Sequence, residues 1–234
     1  MIKKLLNRVI YRHKATSETY VAYLKAKGVL CGENIHIYVP HRTTIDLLNP
    51  HLLSIGSNVV ITGPTTILTH DYSVFVANQL SEGKLYGKQQ AVTIGSNVFV
   101  GWGSTILPGC TVGNNVIIAA GAVVSGMVES NSVYAGNPAK CICSIDTYIE
   151  KREQRQLEEA VSIYKKYCDR YGKTPDMTVF HEYFYLFSTA DNLIEQYKEK
   201  MRVNGNYEQC LHFLKMHKPM FENFESFCEY ARRQ

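Results

Sequence analysis

A branched aliphatic residue returns at every sixth position from Ile94 to Val124, at Ile94, Val100, Ile106, Val112, Ile118 and Val124. A period of six fits neither an alternating strand nor an amphipathic helix. It is the mark of a parallel β-helix, in which each hexad forms one flat side of a coil. A small or β-branched residue follows four positions later, at Val98, Ser104, Cys110, Val116 and Ala122, and shares the interior with the aliphatic one. Gly95, Gly101 and Gly113 come directly after the aliphatic position. With the neighbouring Asn residues they are expected to turn the corners where a positive φ is needed. Ile55, Ile61 and Ile67 carry the same phase upstream, with Gly56, Val59 and Thr65 in matching places.

The hexads break between Ile67 and Ile94, whose spacing of 27 is not a multiple of six, so a loop interrupts the coil at about 72–92. Long loops in compact domains usually carry function. Upstream, 2–13 and 17–27 read as short helices, the second with Ser17 as N-cap and Gly28 as its stop. From Ile145 the texture becomes helical, with Leu157, Val161, Tyr164, Cys168 and Tyr171 on one face until Gly172 and Pro175. Further helical stretches are expected at Val179–Phe187, Leu193–Met201, Cys210–Met216 and Phe221–Ala231, their Tyr and Phe residues serving as packing. The expected organisation is therefore N-terminal helices over 1–28, a β-helix over 29–144 and an α-helical C-terminal domain over 145–234. The fold class is mainly β.

Composition narrows the function classes. At 45% hydrophobic residues the chain suits a globular protein, and no apolar run reaches bilayer-spanning length. The basic start, MIKKLLNRVIYRHK, is interrupted by charge and lacks a small-residue cleavage site, so it does not read as a secretory leader; it reads as a solvated helix capping the coil, with a basic amphipathic helix touching a membrane surface as the alternative. Residues 1–144 hold 11 Lys+Arg against 6 Asp+Glu, whereas 145–234 hold 14 against 15. The surplus on the β-helix half suits an anionic small molecule; with no basic stripe or nucleic-acid motif, DNA and RNA are not expected partners. Seven Cys without a CxxC pair fit free thiols in a reducing cytoplasm. His36, His41 and His51 fall in irregular first coils and His70 at the loop, which does not assemble the three ligands of an open catalytic zinc. No metal is expected.

Three segments bear a specific resemblance: ILTHDYS at 67–73, TIGSNVFVGWGSTILPGCTVGNNVIIAAGAVVS at 93–125, and AGNPAK at 135–140. Over roughly 29–142 the chain resembles the hexapeptide-repeat acyltransferases, most of all the sugar and polysaccharide O-acetyltransferases. The resemblance implies a left-handed β-helix, against the usual right-handed crossover, and a homotrimer with acetyl-CoA as co-substrate in the groove between prisms. It implies His70 as general base. A sugar hydroxyl is a poor nucleophile at neutral pH, and an imidazole can remove its proton as it attacks a thioester. Asp71 is a candidate to orient that ring or to cap the loop.

By the same resemblance, amides near Trp102 and Gly103 stabilise the thioester oxyanion, Ala120 and Gly121 meet the pantetheine, and Ser125 and Lys140 approach the CoA phosphates. Two departures stand out. Trp102 replaces a small residue, and Gly126 stands where a basic residue is common. Asp46 and Asn78 are candidates to hold acceptor hydroxyls, each with a turn or loop-cap role as the alternative. No Ser or Cys sits in a nucleophile setting, so transfer is expected to be direct. Acetylation of an amine on an amino sugar or antibiotic, or a non-catalytic scaffold working through the helical tail, stays open at this stage.

Overall fold

The computed structural model describes residues 9–234, so most of the expected helix over 2–13 lies outside the described residues. The chain forms two compact units, the first ending at Tyr148 and the second running Ile149–Gln234.

The first unit is a parallel β-helix. Its strands form three sheets: β1 (Leu30–Cys31), β4 (Leu53–Ile55), β7 (Val92–Ile94), β10 (Thr111–Val112) and β13 (Met127–Val128) in the first; β2 (Ile35–Tyr38), β5 (Val59–Thr62), β8 (Val98–Val100), β11 (Val116–Ile118) and β14 (Ser132–Ala135) in the second, with β15 (Lys140–Ser144) added antiparallel at its edge; and β3 (Thr44–Ile45), β6 (Thr66–Ile67), β9 (Thr105–Ile106) and β12 (Val123–Val124) in the third. Register explains the hexads. Ile55 pairs with Ile94 and Ile94 with Val112 on the first side; Ile61, Val100 and Ile118 align on the second. Ile67, Ile106 and Val124 align on the third. Like residues thus stack along the prism axis, and these nine are at most 2% exposed. Val59, Val98 and Val116, each four places after an aliphatic position, form a parallel inner column.

The corners separate the jobs of Asn and Gly. Asn34, Asn58, Asn97, Asn115 and Asn131 all take φ between 53° and 59°, the left-handed region that Asn tolerates. Their side chains form a ladder, with Asn97 donating to Asn115 at 2.8 Å and Asn115 to Asn131 at 2.7 Å. The glycines after the aliphatic positions do not have positive φ, contrary to expectation. They are small because the next coil lies against them: a Cβ on Gly101 would meet the Ala120 nitrogen at 2.5 Å and the Ile118 carbonyl oxygen at 2.7 Å. Gly101→Ala is therefore expected to destabilise the first unit by about 1–3 kcal/mol, readable as a shifted urea midpoint.

Helix α1 (Ser17–Lys27) stops at Gly28 with φ 101°, as expected, but its N-cap is Thr16, in a reciprocal capping box with Thr19. Ser17 instead accepts a hydrogen bond at 2.8 Å from the Ile37 N–H, tying the helix to β2 (Ile35–Tyr38). The interrupting loop carries a short helix, α2 (Val74–Leu80), before β7 (Val92–Ile94) resumes the coil.

The second unit is helical. It contains most of α3 (Ile145–Tyr171), then α4 (Glu195–Val203), α5 (Tyr207–Met216) and α6 (Phe224–Arg233). The expected helix at Val179–Phe187 is instead two 3₁₀ turns, Met177–Phe180 and Phe184–Leu186. The aromatics on these turns are packed: Phe180 meets Phe227 edge-on at 5.1 Å and Phe184 stacks on Tyr197 at 4.5 Å. Most of the tail's aromatics are core, as their spacing suggests, but Tyr171 and Phe213 are exposed.

Candidate active site

The chemistry gathers where the third sheet ends. Strands β3 (Thr44–Ile45) and β6 (Thr66–Ile67) pair in parallel, Thr44 with Thr66 and Ile45 with Ile67. That register sets Asp46, just past β3, beside Thr69 and His70, just past β6, although 24 residues separate the carboxylate from the imidazole. The Asp46 N–H donates to the Ile67 carbonyl at 2.9 Å, fixing the approach.

His70 Nδ1 lies 2.5 Å from Asp46 Oδ2. The same oxygen accepts from the Thr69 N–H at 2.9 Å and from the Thr69 hydroxyl at 2.5 Å, while Oδ1 accepts from the Leu48 N–H at 3.0 Å. Burial pushes the carboxyl up, but the donors from Thr69, Leu48 and His70 together outweigh it and hold Asp46 at about 2. It is therefore an anion at neutral pH and can only accept. Nδ1 must then carry a proton, so in the neutral imidazole the lone pair is on Nε2. The arrangement yields an oriented imidazole with one basic nitrogen free for a substrate.

The strand leaving with His70 is met by the returning limb of the loop. His70 bridges Gln89 antiparallel, the Asp71 N–H donates to the Lys88 carbonyl and the Gln90 N–H to the Thr69 carbonyl, both at 2.9 Å. The Tyr72 ring sits edge-on to the imidazole at 4.7 Å. A cavity of about 430 Å³ opens on His70 between Tyr72, Val74, Phe75, Asn78 and Tyr86. Another, of about 410 Å³, reaches the imidazole past Leu68, Leu107, Pro108 and Ser125.

Several sequence expectations move. Asp71 does not meet the His70 ring; its carboxylate takes a 2.7 Å bond from Lys88, which with the Ser73 N–H holds it at about 2, and so it caps the loop. Adjacent side chains diverge there, and Asp46 occupies the orienting place. Asp46 is thus committed to the imidazole rather than free to hold an acceptor hydroxyl. Asn78 lines the first cavity, yet its side chain accepts from the Tyr86 N–H at 2.7 Å and donates to the Tyr86 carbonyl at 3.4 Å, so it clasps the loop.

The Gly103 N–H is spent on the Pro64 carbonyl at 2.7 Å and the Gly121 N–H on the Trp102 carbonyl at 2.8 Å. The N–H groups of Trp102 and Ala120 have no backbone acceptor among the described residues. Trp102 is 47% exposed, with the Arg42 guanidinium 5.4 Å above its ring. Ser125 lines the second cavity, and Lys140 is exposed on β15 (Lys140–Ser144).

Sequence reasoning missed Thr69 and the pairing of Asp46. A partial signal existed: Thr-Ile occurs at 44–45 and 66–67, which sets Asp46 level with the position beside Thr69, but the same pair at 93–94 belongs to a different side of the coil. No group of three or more His, Cys, Asp or Glu placed to hold a metal occurs among the described residues.

A family model described as bacterial transferase hexapeptide (six repeats) matches residues 91–126. Protein CapG of Staphylococcus aureus is 35% identical over 159 residues, covering 68% of this chain and 86% of CapG. The chain belongs to the hexapeptide-repeat transferases. This hexapeptide-repeat transferase is also 34% identical over 120 residues to the galactoside O-acetyltransferase of Escherichia coli K12, 49% of this chain and 56% of that one. Two further curated relatives are matched over 58% of their own length, so the chain spans little more than half of them. A solved galactoside acetyltransferase in complex with coenzyme A aligns with 62% of the chain and 80% of its own length, at 25% identity and a TM-score of 0.41.

Proposed function

We propose that the chain is an acetyl-CoA-dependent O-acetyltransferase that acts on a hydroxyl of a sugar or polysaccharide, with His70 as general base and direct transfer in one ternary complex. The observation that carries this reading is the Asp46–His70 pair, an imidazole held through Nδ1 by a carboxylate at the wall of a cavity. The family and the name of the Escherichia coli relative support acetyl transfer to a sugar hydroxyl.

Acetyl-CoA supplies an activated acetyl thioester. The second cavity suits it, with Leu68, Leu107 and Pro108 offering apolar walls for a slender arm and Ser125 a polar contact. Nε2 takes the acceptor proton as the hydroxyl attacks, Asp46 stabilises the imidazolium that forms, and the same proton returns to the departing thiolate. The free N–H of Trp102 is the donor best suited to the oxyanion, while Ala120 and Gly121 remain the pantetheine contacts and Lys140 the cation for CoA phosphate. A panel of hydroxyl and amino acceptors with acetyl-CoA, read by thiol release and mass of the product, tests the reading. Acetylated alcohols are expected; acetylation of amines alone would replace it with the N-acetyl reading.

The proposal includes a left-handed coil, a homotrimer and a cytoplasmic location. Val60, Phe99 and Ile117 stand in register on the outer face of the second sheet, and Phe99 is 41% exposed. An outward apolar row of this kind supports burial against another copy. Phe99→Asp is expected to shift the sedimentation coefficient from trimer toward monomer. The seven free thiols support a reducing compartment. No described helix is long and apolar enough to cross a membrane.

A further inference from the structure

The helical unit has a charge distribution that its packing does not require. Residues 163–174 and 229–234 hold six Lys/Arg against two Asp/Glu, although 145–234 as a whole carries 14 against 15. The basic residues are therefore concentrated, not scattered. They lie on the C-terminal turns of α3, the turn after it and the end of α6. Lys165, Lys173 and Arg232 converge on one cavity of about 350 Å³, which Tyr164, Cys168, Gly172 and Thr174 also line. One carboxylate, Asp169, faces it. None of the three cations makes an ion pair among the described residues, whereas Arg152, Lys200 and Arg202 in the same unit are all paired with glutamates.

Beside this cavity a second hollow is lined by Lys166, Tyr167, Arg170 and Tyr171, with Asp169 again its one carboxylate. The rings of Tyr167 and Tyr171 lie 4.7 Å apart, and Tyr171 is 59% exposed. Aromatic faces offer flat apolar contact to the axial C–H groups of a pyranose, and Lys and Arg supply charge-assisted hydrogen bonds to carboxylate or phosphate. Close-set cations repel one another, and an occupying anion would relieve that repulsion.

We infer that this end of the helical unit is a binding site for an anionic saccharide chain, one that carries carboxylate or phosphate groups on pyranose rings. The inference deepens the proposed function by naming the acceptor class, and it rests on that reading only for its purpose, not for the binding itself. The site holds the chain; it performs no chemistry. The shape favours a glycan over a lipid surface, because the cations line concavities with aromatic walls rather than flank a protruding apolar edge.

The test is direct binding by calorimetry with the full chain. The probes are an oligogalacturonate, a neutral maltooligosaccharide of the same length, and vesicles of phosphatidylglycerol. The oligogalacturonate is expected to bind, weakening with salt, and the neutral oligomer to bind far more weakly. Lys165→Gln/Lys173→Gln/Arg232→Gln should weaken oligogalacturonate binding on the order of tenfold or more. Tyr171→Ala should weaken it independently, and acetyl transfer to a monosaccharide should remain unchanged in both variants. Equal affinity of the triple variant, or vesicles bound in preference to the saccharide, overturns the inference. If oligogalacturonate binds as expected while no sugar is acetylated, the acyl-transfer reading fails and this one stands.

Discussion

His70→Ala is expected to lower acetyl transfer by on the order of 10²–10⁴-fold at neutral pH with the fold and assembly intact. The size follows from the role. Without a base, the acceptor hydroxyl must attack while still protonated, and a positioned proton transfer contributes about that factor. The His70 side chain is 23% exposed and belongs to no core cluster, so its removal costs the prism little packing. The variant does lose one donor to the buried Asp46 carboxylate, so a modest fall in unfolding temperature is expected while thiol release with acetyl-CoA and a sugar collapses. Undiminished turnover in an intact assembly would remove His70 from the mechanism.

Asp46→Asn should come close to the same loss, on the order of 10²–10⁴-fold, for a different reason. The asparagine amide would donate to Nδ1 and move the imidazole proton to Nε2, where the base is needed. Geometry is kept and the tautomer is wrong. Asp46 also accepts from Thr69 twice and from Leu48, so the amide would leave one of those donors poorly matched and cost some stability. The diagnostic is a fall in kcat with the KM for acetyl-CoA little changed. An unchanged kcat would mean that the carboxylate holds the coil end rather than the ring.

The linkage sign of Asp46 follows from its depressed pKa. Folded, it titrates at about 2, below its ordinary 3.8. It therefore adds stability that is fully present above about pH 5 and is lost as the pH falls through 4 toward 2. At working pH it stays an anion, so the acid limb of any rate profile does not report Asp46.

The coil was legible because its determinant is local and repeated. Each flat side must supply one interior aliphatic of its own, and Ile94, Val100, Ile106, Val112, Ile118 and Val124 state that demand one side at a time. The interruption after Ile67 and the place of His70 at its edge were readable from the same phase. What the corner glycines do was not, because Gly95 and Gly101 answer to backbone from the next coil, 18 residues on, and not to their own dihedrals.

Only the stacked structure decided which carboxylate meets the imidazole. Asp71 is next to His70 in the chain and turns away to Lys88, while Asp46, 24 residues earlier, is carried beside it by the pairing of β3 with β6. Neighbours along an extended backbone point apart, whereas neighbours across a parallel ladder lie side by side. Periodicity reports what each coil buries; register between coils reports what touches at the surface, and the chemistry sits there.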